Sequence, residues 1–212
     1  MQEVDEIVHT CRHLAAEGLL VGTGGNVSMR TGDSILITGT GVVLAEAVPD
    51  DIVRIDLTGR QVDGGVRASS ESLLHARLYA GTDAAAIVHT HSPAATAVTL
   101  LTDELPALHY QQLQLGGSTP VVDFHVFGTS ALADAAGAAI TGRQAVLLAH
   151  HGAVAIGRSL TDAAKNASLV EWACNLYLRA AAAGAPRSLS PEQLAGVAEA
   201  ATARGYGTRQ PR

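Results

Sequence analysis

His89 and His91 stand two residues apart in the segment AAIVHTHSPAATAV, at the end of an apolar run. Alternate residues of a strand share one face, so a strand here presents both imidazoles to a single ion, whereas a helix splays them. The small and β-branched residues Ala84 to Val88 favour the strand, and Ser92-Pro93 reads as an N-cap with proline in the first helical turn. The histidines therefore fall where a strand hands over to a helix. A third ligand is needed before a metal outweighs two hydrogen-bonded core histidines, and VLLAHHGAVAIG carries His150 and His151 beside Gly152. Successive strand residues face opposite ways, so one of these two can join the pair; the bland alternative is a tight turn with both rings exposed. Three neutral imidazoles with an open fourth position make a catalytic zinc arrangement, while structural sites close with four ligands.

Glu71 follows two serines in ASSESLLH and precedes His75 by four residues, a spacing that shares one helix face. A carboxylate in a first helical turn is commonly just a partner of the helix dipole. Beside a metal that polarises a carbonyl, it can instead take or give a proton at the neighbouring carbon. A further set is neutral and suited to anions: Thr23, Gly25 and Asn26 in GTGGN, Thr40 and Gly41 in TGTG, and Ser69 and Ser70 at a helix start. Glycine-rich loops let backbone N–H groups converge on an oxyanion, and a helix N-terminus adds donors and partial positive charge. Singly, each loop reads as a turn, and neither matches a P-loop or the dinucleotide fingerprint, so a nucleotide is not indicated.

The elements that must hold these groups follow from periodicity. Val4, Ile7, Val8, Cys11, Leu14 and Ala15 recur at helical spacing before Gly18. Strands are expected over Asn26 to Arg30 and Ser34 to Thr38 as a hairpin, followed by another in DDIVRIDLTGRQVDGG with Thr58-Gly59 as its turn. Ser70 is the expected N-cap of a helix bearing Leu73, Leu74 and Leu78, which delivers the chain to the His-Thr-His strand. PAATAVTLLT, SALADAAGAAITG, SLTDAAKNASLVEWACNLYLRAAAAG and SPEQLAGVAEAATARG read as helices, the last started by Ser190-Pro191; PVVDFHVFG is strand-like, and two short strands flank His150-His151-Gly152. Intermixed helices and strands with no linker or repeat indicate one α/β layered domain.

With 212 residues and 47% hydrophobic content, one sizeable core is within reach. The net charge of -6, with 14 Lys and Arg in no basic run, lacks the footprint of a nucleic-acid binder. Cys11 and Cys174 sit in apolar helical patterns and read as buried thiols of a reducing compartment. The start MQEVDEIVH is acidic where a signal peptide is basic, and no apolar run approaches the ~18 residues of a membrane span. A cytoplasmic soluble protein with no membrane partner is the expectation.

Taken in order, GTGGNVSMR, ITGTG, SSESLLH, IVHTHSPAATAV, LPALHY, FGT, LLAHHGAVAIG and RGYGTR resemble the class II aldolase/adducin family, most closely its fuculose-phosphate aldolase branch. The resemblance runs from about residue 4 to 209. It implies a three-layer α/β/α sandwich with a mixed, mostly antiparallel sheet, a single domain over 1–212 with a mobile tail from about 205, and a homotetramer with active sites between subunits. It implies one zinc ion per chain on His89, His91 and His151, with Glu71 as catalytic acid/base that can also approach the metal. It implies substrate phosphate on Thr23, Gly25, Asn26, Thr40, Gly41, Ser69 and Ser70. Tyr110 matches a catalytic tyrosine supplied across a subunit interface, and Tyr206 a second near the C-terminus. Gly24 stands where alanine is common and Gly39 where proline is common, and the loop after Tyr110 is about one residue short. These departures leave the zinc and phosphate residues intact and bear on the aldehyde-side pocket, where the Tyr110 loop and Phe127 lie.

The activity so implied is zinc-dependent retro-aldol cleavage of a ketose 1-phosphate, L-fuculose 1-phosphate or similar, to dihydroxyacetone phosphate and a short aldehyde such as lactaldehyde. An aldolase or dehydratase of a 5-deoxy- or methylthio-pentulose phosphate is the nearest alternative. A pentulose-phosphate 4-epimerase fits less well, since the branch's HADY-like stretch is HYQQ here. A non-enzymatic adducin-like interaction domain is expected to lose the metal histidines, and all three are present.

Overall fold

In a computed structural model of the chain, residues 2–205 are described. Tyr206 and the tail beyond it lie outside these residues. The elements run α1 (Gln2–Ala16), β1 (Asn26–Thr31), β2 (Ser34–Thr38), β3 (Ile52–Asp56), α2 (Ser72–Gly81), β4 (Ala86–Thr90), α3 (Pro93–Val98), β5 (Glu104–Leu105), β6 (Thr119–Val122), α4 (Ser130–Ala139), β7 (Ala145–Leu148), β8 (Gly152–Gly157), α5 (Leu160–Ala183) and α6 (Pro191–Ala203). The strands form one sheet in the order β3-β2-β1-β4-β8-β7-β6-β5. Among the described residues only β6 and β7 pair in parallel, so the mixed, mostly antiparallel sheet is as expected.

The period-two alternation of the central strands builds the layers. Ala86 and Val88 of β4, with Ala153 and Ala155 of β8, join the core under α1, α3 and α5. Their neighbours Ile87, Val154 and Ile156 join the opposite core under α2 and α4. Two cores on the two faces of one sheet make the α/β/α sandwich. Cys11 and Cys174 are free and buried in the first core, and burial pushes both thiols up, that of Cys11 to about 12. Among the described residues no helix is long and apolar enough to cross a membrane.

Helix starts follow local chemistry with two exceptions. Thr129, Ser159 and Ser190 each cap their helices, and Ser190 with Gln193 closes a capping box. Ser70 does not cap α2 as expected. The helix begins later, with Glu71 at its N-cap position, because the Ser69 hydroxyl accepts from the Glu71 N–H and the Ser72 hydroxyl donates to the Ser69 carbonyl. Ser92 sits at the cap of α3, but its side chain caps nothing. The carboxylate of Glu171, from α5, accepts the Ala94 and Ala95 N–H groups at 2.9 and 2.8 Å and does that work from across the fold. PVVDFHVFG is strand only as far as Val122; beyond the Ala149 N–H to Val122 carbonyl bond the chain leaves the sheet, and Phe124, Val126 and Phe127 are exposed.

Candidate active site

Three strand ends and one helix start meet at one end of the middle strands β1, β4 and β8. β4 pairs β8 with His89 opposite Val154 and Thr90 opposite Ala153, so the end of β4 lies beside the turn that opens β8. The approach is close: a Cβ on Gly152 would lie 2.0 Å from the Thr90 carbonyl oxygen, which only glycine tolerates. Just before it, His150 alone among the described non-glycine residues has a left-handed backbone, with φ of 58°. Its N–H donates to the Thr99 hydroxyl at 3.0 Å. This turn sends His151 toward His89 and His91, while the His150 ring packs edge-on near Phe124.

The three Nε2 atoms stand 3.0 Å (His89 to His91), 3.2 Å (His89 to His151) and 3.0 Å (His91 to His151) apart. His89 is fully buried, and its Nδ1–H donates to the Ala153 carbonyl at 2.9 Å, which leaves Nε2 as the lone-pair nitrogen. Glu71 is 4% exposed; its Oε2 lies 3.0 Å from His89 Nε2 and its Oε1 3.6 Å from His151 Nε2. The four ligand atoms all lie within 4.8 Å of one another. Nitrogen lone pairs facing each other at these separations repel unless they share a cation. A tetrahedral set at the usual zinc–nitrogen length has N···N edges of about 3.3 Å, close to those here. Glu71 Oε1 is buried and accepts no hydrogen bond, a further acceptor awaiting a partner. The donor set of three imidazoles and a carboxylate fits one divalent ion, with His91, His151 and Glu71 lining a cleft.

Electrostatics in the metal-free protein follow from burial. Burial alone raises the Glu71 carboxyl, but the neighbouring His89 and His151 outweigh it and hold the group well below the usual carboxylate range. Burial lowers His89, and Glu71 reverses this to a net rise. Burial pulls His91 and His151 down to about 4, and His75, on α2, to about 3. A buried histidine held neutral destabilises the fold in acid, because the unfolded chain binds a proton that the native chain refuses below about pH 6.5. His75, His91 and His151 act in this direction and His89 opposes them. With metal removed, the melting temperature is therefore expected to fall steadily from pH 7 to pH 5, each depressed histidine contributing up to about 1.4 kcal/mol per pH unit. A melting temperature that is flat or rises over this range in calorimetry with chelator present would contradict these assignments.

The cleft in front of the cluster has a volume of about 670 Å³. Thr23, Gly25, Asn26, Thr40, Gly41, Ser69 and Ser70 all line it, so three segments distant in sequence form one rim. Gly25 has φ of 91°, and a Cβ there would stand 2.7 Å from the His89 carbonyl oxygen, so this loop lies directly on β4. Asn26 also has partners behind the cleft. Its Nδ2 donates to Glu71 Oε2 at 3.0 Å and its Oδ1 meets His75 Nε2, which leaves one amide hydrogen for the cleft. Phe124, His125, Val126 and Phe127 also line it and, apart from Phe127, were not legible as site residues. Tyr110 lies elsewhere in its own chain, half-exposed in a 3-10 turn over Tyr110–Leu115 beside Val197 and Ala201 of α6.

Comparison with known proteins follows the same lines. The model of the family described as class II aldolase and adducin N-terminal domain matches residues 5–178. The 5-methylthioribulose-1-phosphate/5-deoxyribulose-1-phosphate aldolase of Rhodospirillum rubrum is 38% identical over 195 residues, covering 91% of this chain and 88% of that protein. The L-fuculose phosphate aldolase of Escherichia coli (strain K12) is 39% identical over 197 residues, covering 92% and 91%. A solved structure of an L-fuculose 1-phosphate aldolase superposes with a TM-score of 0.89 at 33% identity, covering 95% of this chain and 96% of its own.

Proposed function

Because the chain belongs to the class II aldolase and adducin family and is a metal-dependent lyase, we propose that it cleaves a ketose 1-phosphate at C3–C4, giving dihydroxyacetone phosphate and a short, apolar-ended aldehyde. One observation carries this reading: Glu71 and three histidines converge at one cleft, and the rim of that cleft is made of the small, neutral loops suited to a phosphate. The ion is zinc, one per chain, on His89, His91 and His151, a choice supported by the nitrogen-rich donor set. When bound it supplies Lewis-acid stabilisation for negative charge developing on the ketone and adjacent hydroxyl oxygens.

The residues of the chain do the rest. Ser69, Ser70, Thr40 and the Gly25 and Gly41 loops bind the phosphate and set the depth of the sugar, so that C3 faces Glu71. As the C3–C4 bond breaks, its electron pair stays with C3; Glu71, which has taken up a proton in the substrate complex, delivers it to C3 and is left as the carboxylate. The C4 hydroxyl proton leaves through Tyr110 of a neighbouring copy in a homotetramer, whose hydroxyl takes it up while passing its own proton to solvent. That Tyr110 does not line the cleft of its own chain supports supply from another. Tyr206 belongs to the same reading, as does residence in the cytoplasm.

Phe124, Val126 and Phe127 offer an apolar wall to the departing aldehyde. L-Fuculose 1-phosphate, giving lactaldehyde, suits that wall, and the same wall favours the methyl-ended 5-deoxy- and methylthio-pentulose 1-phosphates as a second reading. The test is a panel of these ketose 1-phosphates, with bound metal measured in parallel. Dihydroxyacetone phosphate released from at least one, with one zinc per chain, is the expected result. An epimeric sugar formed without free dihydroxyacetone phosphate, or a chain carrying no metal, would overturn it.

A further inference from the structure

We propose that His75 is a positioning residue for the acid/base: it fixes which way the Asn26 amide faces, and through that amide the carboxylate of Glu71. The inference rests on the reading of Glu71 as acid/base. His75 is fully buried on α2, behind the cleft. Its Nδ1 lies 2.6 Å from the Ser28 hydroxyl, and that hydroxyl lies 2.8 Å from the Tyr79 hydroxyl. On the other side its Nε2 meets Asn26 Oδ1, and Asn26 Nδ2 reaches Glu71 Oε2.

The polarity of this chain is decided at one end. An ionised carboxylate only accepts, so the Asn26 atom facing Glu71 must be nitrogen. Asn26 Oδ1 is then turned to His75, whose Nε2 must carry the hydrogen. His75 Nδ1 is left to accept from Ser28, and Ser28 to accept from Tyr79. Every donor in the chain points toward Glu71. The consequence is an unequal carboxylate: Oε2 is held by Asn26, while Oε1 accepts no hydrogen bond. With the other His75 tautomer the ring would face Asn26 Oδ1 with a lone pair, the amide would turn, and Glu71 would meet an oxygen.

The first measurement is direct. Long-range proton–nitrogen spectra of the zinc-loaded protein are expected to report His75 as the Nε2–H tautomer, its signals assigned by their loss in His75→Gln; an Nδ1–H tautomer would overturn the inference. The second uses variants. His75→Leu is expected to lower kcat about 10- to 100-fold with zinc still one per chain, while His75→Gln, which can donate to Asn26 and accept from Ser28, recovers most of it. Full activity in His75→Leu, or a loss that glutamine does not recover, would refute the role. If the leucine variant does not fold, the tautomer decides. Glu71→Gln assayed beside them separates the two readings: activity retained there removes the acid/base itself, whereas an inactive Glu71→Gln with an active His75→Leu sinks only the positioning role.

Discussion

Glu71→Gln is expected to lower kcat by about 10²- to 10⁴-fold, the range a positioned acid/base contributes, while the protein stays folded and retains its metal. The substitution is nearly isosteric. The new amide oxygen can still accept from Asn26 Nδ2, and the three histidine nitrogens that converge with Glu71 are untouched. What is lost is the ability to deliver a proton to carbon and to take one back. The same variant should therefore stop the exchange of the C3 hydrogens of dihydroxyacetone phosphate with deuterated water, a half-reaction that needs no aldehyde. Metal content and the unfolding transition are the controls. An enzyme that keeps more than a tenth of its cleavage rate, or that still exchanges the proton, would remove Glu71 from this role.

His151→Ala is expected to act through metal content. His151 sits in the turn before β8 and is only partly buried, so its removal opens toward the cleft instead of leaving a hole in the core. Two imidazoles and a carboxylate remain, one ligand short of the set. Zinc is expected to fall well below one per chain after dialysis, with cleavage reduced about 10³-fold or more. Charge stabilisation by a metal is worth several kcal/mol, and about 1.36 kcal/mol is tenfold in rate. Full metal occupancy with parent activity would refute the ligand assignment.

Much of this site is legible in local sequence. His-x-His at a strand end, Glu71 after two serines, and the glycine and threonine loops are short-range patterns whose chemistry follows from residue type and spacing. The hairpin of β1 and β2, the helix begun by Ser190-Pro191 and the buried thiols are local for the same reason. The misreadings share the opposite character. Ser92 looked sufficient to cap α3, and the cap came from Glu171, far along the chain on α5. Asn26 read as a loop amide for an anion; it lines the cleft as expected, and its side chain also ties β1 to Glu71 and His75, a link that no local pattern carries. PVVDFHVFG alternates like a strand, but beyond Val122 no partner strand receives it, and alternation without a partner makes no sheet.

The choice between His150 and His151 marks the boundary most clearly. The sequence by itself determined that one of the two could join His89 and His91, on the expectation of strand parity; in the structure both stand in the turn between β7 and β8, so parity does not choose between them. Which one, and whether the three nitrogens come within hydrogen-bonding distance at all, was decided by pairing between segments some 60 residues apart. The register of β4 on β8 is set by alternating packing into two cores, by a Gly152 that lets the strands touch, and by a left-handed His150 held on Thr99. Residue type fixes what a group can do. Only the packing of distant strands fixes what it can do it with.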